Sequence, residues 1–364
     1  MTLLRYLLRL FLRSVSLVFL VILLVVILFA TVENLRRYAT DGIGFGDVFR
    51  ITILQSTETL YQAFPLVLML ASLATFLRLA RSSELVVMRA AGISALRLIG
   101  VPVLASMVIG ALFVAGVNPF VAASLKRAID LDNEFTNSGQ SLLSFSSDGI
   151  WLRQADPGGQ TVIQAERANA TGTGLDRVRL HRFDADGTLY SRIDAPNARL
   201  EAGAWRFDDA RVWQRSPRGD FLSVADGGGM SLPTDLTSAE ILDSFSPPEM
   251  IGFWKLGPFI SRIEESGFSG QRHRLFLQGE LAKPAFFAAM VLIGAAFALR
   301  PTRFGQTGVM VLLAVLAGFS LYFLRDFAQS LGAQGSIPLG VAVWTPPAAA
   351  ILLAVGLLLH LEDG

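Results

Sequence analysis

The sequence predicts an α-helical polytopic membrane protein: six transmembrane helices in a 3+3 arrangement, with an all-β domain, a sandwich or jelly roll outside the membrane, inserted between the triplets. Three observations predict it. Hydrophobic residues make up 52% of the 364 and charged residues 17%, with mean hydropathy +0.51, against about 25% charge in ordinary globular chains. The apolar residues gather into six runs that can each cross a bilayer, which takes about 20 of them. Between the third and fourth runs charge rises, and a period-two alternation replaces the long apolar stretches.

The runs are Ser14–Val32 with an extension back toward Leu7, Thr59–Leu77 across Pro65, Leu98 to about Val117 with a continuation toward Leu125, Pro284–Leu299 starting near Leu281, Phe304–Leu324, and Leu339–His360. A helix satisfies its own backbone in lipid, so each reads as a helix. The first run is too long for a signal-peptide core, and Ala30-Thr31-Val32 is a poor cleavage site. Positive residues orient the chain. Arg5, Arg9 and Arg13 precede the first run; Arg78, Arg81, Arg89 and Arg97 lie between the second and third; Arg300 and Arg303 lie between the fourth and fifth. Arg36, Arg37 and Arg50 dilute the bias. Both termini are therefore expected in the cytoplasm and the insert outside.

The expected boundaries are 1–125 for the first three helices, with a short cytoplasmic helix at 81–93, then 126–245 for the β domain, 246–280 for a helical connector and 281–364 for the last three helices. In the insert, Arg177–Phe183 alternates, Asp186-Gly187 supplies a hairpin turn, and Thr188–Ile193 returns. Further short strands are expected from Gly149 to Val224, at the spacing of a sandwich or jelly roll. Residues 247–267 return to helical spacing, with Met250, Phe253, Leu256, Phe259, Ile260 and Ile263 on one side.

Several function classes lack their residues. There is no cysteine, and His181, His273 and His360 are isolated in sequence, so no metal site is expected. Net charge is +1, which gives no field for nucleic acid. No phosphate-cradling G-x-x-x-x-G-K-[ST] loop occurs, so any ATP and Mg would be used by a partner. Ionisable residues within the runs would mark an ion-coupled pump. Glu33, Glu58, Glu280, Lys283, Arg325 and Asp326 are expected only at the ends of the helices. No catalytic residues are identified.

The stretch Arg81-Ser82-Ser83-Glu84-Leu85-Val86-Val87-Met88-Arg89-Ala90-Ala91-Gly92-Ile93-Ser94 is the most informative. Ser82 or Ser83 can cap a short helix, Glu84 suits its first turn, and Gly92 can end it. Leu85 and Met88 would project on one side. Such a helix either plugs into a partner or lies in the lipid headgroups; its pattern alone rates the two equally.

The same stretch closely resembles the coupling segment of the LptF/LptG permease family, the membrane subunits of the lipopolysaccharide export ABC transporter. The resemblance continues through FSPPEMIGFWKLGPFISRIEESG, ELAKPAFFAAMVLIGAAFALRPTRFG, AGFSLYFLRD and PLGVAVWTPPAAAILLA, and so covers essentially the whole chain. The opening of the insert, SLLSFSSDGIWLRQADPGGQTVIQAE, is similar to the LptG side of the family. The resemblance implies a cell inner membrane permease subunit without enzymatic activity, paired with an LptF-like paralogue above a cytoplasmic ABC ATPase dimer. It also implies single-span membrane and periplasmic bridge proteins that carry lipopolysaccharide toward the outer membrane. It assigns ATPase coupling to Ser83, Glu84, Leu85, Met88, Arg89 and Gly92.

An acyl-chain cargo needs an apolar cavity, which Leu28, Phe29, Phe319, Tyr322 and Phe323 could line; as a plain reading they are lipid-facing or helix-packing residues. Lipid A phosphates need cations at the rim. Arg36, Arg37, Lys126 and Arg127 match positions where the family is basic, and guanidinium groups suit phosphate. Without the resemblance, basics at a membrane boundary read as snorkelling to ordinary lipid. Some relatives carry a further basic residue inside the first helix, where this chain has Ala30 and Thr31. Two other readings stay open: the LptF side of the pair, and a non-transporting scaffold whose β domain binds a periplasmic protein.

Overall fold

The structure is a computed structural model that describes residues 2–39, 43–136, 150–156, 159–168, 174–184, 186–201, 203–216, 220–234, 247–265, 270–299 and 307–363. The chain divides into two compact units, Met1–Ala128 with Glu249–Gly257 and Gln271–Gly364, and Ile129–Pro248 with Pro258–Gly270.

The first unit is helical. It contains α1 (Thr2–Arg37), α2 (Phe45–Arg81), α3 (Glu84–Ala90), α4 (Ala95–Leu112), the start of α5 (Asn118–Thr136), α7 (Gln271–Ala298), α8 (Thr307–Ala333) and α9 (Leu339–Asp363); α6 (Phe253–Glu265) begins in it. Six helical stretches are long and apolar enough to span a bilayer, α4 and α5 counting as one. All six outrun their apolar runs. Polar turns at one end or both continue the helix, as where Asp47 occupies the first turn of α2 and suits its N-terminus.

A single π turn, Phe113–Val117, joins α4 to α5. Such turns leave a carbonyl badly placed for its own ladder. Here the Ala115 carbonyl accepts the Trp254 indole N–H at 2.9 Å. Just beyond it, Asn118 Oδ1 accepts the Phe253 N–H at 2.8 Å.

The centre of this unit is α7, packed on α2, α4, α8 and α9. Close approach is made possible by Gly294: a Cβ there would lie 2.5 Å from the Met69 carbonyl oxygen on α2. Phe64, Phe113 and Phe287 fill the adjoining space, with Phe113 stacked on Phe64 at 4.0 Å. By contrast α1 and α8 leave much of their apolar surface uncovered, including Leu24, Leu28, Phe29, Phe319 and Phe323.

The second unit is built on six antiparallel strands: β1 (Ile150–Asp156), β2 (Gly159–Ala168), β3 (Gly174–Asp184), β4 (Leu189–Glu201), β5 (Ala204–Arg215) and β6 (Phe221–Pro233). They pair in sequence order as one sheet. The expected all-β insert is present. Its described strands run as an up-and-down meander in an open sheet, where the spacing of turns had predicted a sandwich or jelly roll. The reason is local. Each strand pairs antiparallel with the one before it, and the strands are longer than the expected short segments.

One side of the sheet is apolar and closed to solvent, with Ile163, Leu180, Ile193, Trp205 and Phe207 fully buried. A line of backbone faults crosses the sheet. Arg177 and Asp209 have φ of +50° and +49°, Gly227 has +77°, and Pro196, which has no N–H to donate, lies opposite Arg177 between two regular pairs. Bulged positions bend strands and increase their twist. These faults align as a crease across β3 to β6.

Candidate functional site

The region from 78 to 99 is built by three short-range devices and two long-range ones. Helix α3 ends on Gly92, whose φ of +82° is the left-handed conformation that glycine adopts without a Cβ clash. The Ile93 N–H then reaches the Met88 carbonyl and the Gly92 N–H reaches that of Arg89, at 3.2 and 2.9 Å. Ser94 starts α4 by accepting the Arg97 N–H at 3.3 Å. The start of α3 differs from the expected serine cap. Ser83 holds the cap position at φ +58° without a side-chain bond. The Ser82 hydroxyl instead donates to Glu84 Oε1 at 3.0 Å. The other carboxylate oxygen, Oε2, accepts the Tyr6 hydroxyl at 2.8 Å.

Leu85 and Met88 do not project outward. Both are buried, in an apolar cluster that includes Leu7 and Leu10 of α1, Phe76 of α2 and Leu98 of α4. The apolar side of α3 therefore faces the helices that flank it. The side left open carries Val86 and Val87, 65% and 67% exposed, with Arg89 beside them. Sequence reasoning placed the helix and put Leu85 and Met88 on one side, as they are; that this side faces the chain's own bundle depends on long-range packing.

The four rim cations are all exposed, Arg36 and Arg37 at the last turn of α1 and Lys126 and Arg127 on α5. Asn34 anchors the end of α1 to α2 through Thr52 and Gln55, both at 3.0 Å, and Arg37 lies over the Tyr38 ring. The expected apolar lining divides. Leu28 and Phe29 lie open on α1, and Phe319 and Phe323 on α8. Within the chain α1 packs on α2 and α4, whereas α8 packs on α2, α7 and α9. Tyr322 is half-buried and lines a polar cavity.

That cavity, of about 270 Å³, was not foreseen. Glu58, Tyr61, Asn118, Glu249, Glu280, Lys283, Arg325 and Asp326 contribute to it. The expectation that these ionisable groups sit at helix ends does not hold: Glu58 lies inside α2, Arg325 and Asp326 inside α8, and Glu280 and Lys283 inside α7. Glu280 and Lys283 are nearly fully buried and pair at 2.6 Å. Tyr61 donates its hydroxyl to Glu280, and the Lys283 ammonium sits 3.6 Å from the centre of the Tyr61 ring. The available signal was the i,i+3 spacing of Glu280 and Lys283; Tyr61 lies too far away in sequence for any pattern to reach it.

The chain matches the lipopolysaccharide export system permease LptF/LptG family over residues 5–360, both helix triplets and the insert included. It belongs to that family. It is similar to the lipopolysaccharide export system permease protein LptG of Escherichia coli K12, 23% identical over 334 residues that cover 88% of this chain and 86% of that protein. The LptG protein of Haemophilus influenzae is 22% identical over 323 residues, 85% of each. Six apolar helices and this family membership make the chain a multi-pass inner-membrane permease of the lipopolysaccharide export system.

Proposed function

We propose that this chain is the LptG-side permease subunit of an ATP-driven exporter, which draws lipopolysaccharide laterally from the inner membrane and hands it through the β domain to a periplasmic bridge. The observation that carries the reading is the family match along the whole chain, together with relatives named LptG. The distribution of positive residues supports cytoplasmic termini and a periplasmic sheet. ATP and Mg would be used by a separate ABC ATPase dimer.

A cavity for acyl chains is completed by an LptF-like partner. The open apolar faces of α1 and α8 support this, since much of each is left uncovered within the chain. Arg36, Arg37, Lys126 and Arg127 then hold the lipid A phosphates, as exposed cations at the ends of long helices can. Val86, Val87, Arg89 and the Glu84 carboxylate form the surface presented to the ATPase, and Leu85 and Met88 seat α3 in the bundle.

The test is purification of the complex from native membrane. Identification of its subunits should give an LptF-like paralogue, an ABC ATPase and a single-span bridge protein. Added lipopolysaccharide should stimulate ATP hydrolysis. Replacing Arg36 and Arg37 together by Ala should weaken that stimulation while leaving assembly intact. A chain that purifies without an ATPase, or one whose ATPase ignores lipopolysaccharide, would return the reading to a membrane scaffold.

A further inference from the structure

We infer that Tyr6 is a positioning residue for energy coupling: its bond to Glu84 ties the short cytoplasmic helix α3 to the first turns of α1, so that α1 moves with α3. The inference rests on the proposed role of α3 as the ATPase-facing element and deepens it.

Three observations carry it. Both oxygens of the Glu84 carboxylate are occupied within the chain, Oε2 by Tyr6 at 2.8 Å and Oε1 by Ser82 at 3.0 Å. Glu84 therefore does not wait as a free charge for a partner. A partner cation must share the carboxylate with the two hydroxyls or displace them. Secondly, Tyr6 is 40% exposed, so its ring contributes modestly to the core and its hydroxyl is the distinctive feature. Thirdly, Leu85 and Met88 lie in the same apolar cluster as Leu7 and Leu10. The carboxylate bond on one side of α3 and this apolar contact on the other join α3 to α1 at two points.

The consequence is a second route for force. Through the chain itself, α3 can move only α2 and α4, to which it is joined in sequence. The Tyr6 bond adds α1, whose outer end carries Arg36 and Arg37 and whose exposed face carries Leu28 and Phe29. A displacement of α3 by the ATPase thus reaches the helix that bears more of the proposed cargo contacts than any other. Loss of the bond leaves the ATPase docked and α1 held to α3 by the apolar cluster alone.

The experiment uses the complete transporter, reconstituted, with lipopolysaccharide release to the bridge protein and ATP hydrolysis measured together. Tyr6→Phe removes one hydroxyl and keeps the ring. It should leave ATPase binding and basal hydrolysis unchanged while lowering lipopolysaccharide released per ATP by about fivefold, the scale of losing one partly exposed hydrogen bond to a charged group. Ser82→Ala should act in the same direction and less strongly, since Tyr6 still holds the other oxygen. In a Glu84→Gln background, Tyr6→Phe should have no further effect, because both act through one bond.

The outcomes separate. An uncoupled Glu84→Gln beside a normal Tyr6→Phe overturns the Tyr6 inference and leaves the coupling role of α3 standing. A Glu84→Gln transporter that exports normally overturns the coupling reading, and this inference falls with it. Additive effects in the double mutant would also overturn it, showing that Tyr6 acts somewhere other than on Glu84.

Discussion

Two ion pairs, one in each unit, show how differently the helical bundle and the sheet use charge. Lys283 and Glu280 meet at 2.6 Å with side chains only 6% and 3% exposed. Arg177 and Glu166 meet at 2.9 Å with 62% and 50% exposed. The geometry is nearly the same and the consequence is not. In water an ion pair gains little, since each group was already well solvated. In the bundle each partner is the other's solvation, and removing one leaves a charge with nowhere to go. The bundle therefore admits this pair only with further support, here the Tyr61 hydroxyl on Glu280 and the Tyr61 ring under Lys283. The sheet distributes its charges along the crease, where solvent does the same work.

The largest effect should come from splitting the buried pair. Lys283→Met keeps the length of the side chain and strands the Glu280 carboxylate. Loss of one member of a buried pair costs about 3–5 kcal/mol, so the variant should unfold at a markedly lower temperature in detergent. Glu280→Gln added to Lys283→Met removes the stranded charge and should recover most of the loss. If the single variant were as stable as the parent, the cluster would be solvated in the membrane and the contrast with Arg177 would collapse.

A somewhat smaller effect should come from the packing that buries that pair. Gly294→Ala forces a Cβ to within 2.5 Å of the Met69 carbonyl, a backbone atom that cannot rotate away. Overpacking of this kind costs about 1–3 kcal/mol. The same thermal assay should show it, together with a loosened α2–α7 contact seen as faster hydrogen exchange in both helices. An unchanged variant would mean that these helices separate easily, and that the buried pair holds them together without close packing.

How much of this was legible in the sequence follows the range of each interaction. The spans are legible because apolar length is a local property, and the strands because alternation is. The start of α2 was not, since Phe45–Glu58 interleaves polar and apolar residues and its buried side, with Val48 and Ile51, shows only in the packing. The crease was not legible either. Glycine advertises a positive φ at position 227, but Arg177 and Asp209 adopt one without any compositional sign. In the 78–99 region, Gly92 could be read as a stop signal and acts as such. The partner of Glu84 could not, because Tyr6 lies 78 residues away. For the same reason Tyr61 and Glu280, 219 residues apart, gave no hint that they share a site.

The smallest expected effect tests the exposed side of the comparison, and two variants at one residue separate its parts. Arg177→Ala removes the ion pair and keeps a side chain at φ +50°. An exposed pair contributes about 0.2–1 kcal/mol, and Ala should cost no more than that. Arg177→Gly removes the same pair and also relieves the left-handed backbone, which costs a residue with a Cβ roughly 1–2 kcal/mol. Glycine loses part of that gain through the greater freedom of the unfolded chain. The Gly variant should therefore be at least as stable as the parent and clearly more stable than the Ala variant. Hydrogen exchange of the amides of β3 and β4 in the full-length chain can rank the three. A Gly variant less stable than Ala would show that the crease holds its backbone without strain. The ion pair would then have to explain why an arginine stands there, and an exposed pair is too weak to do so.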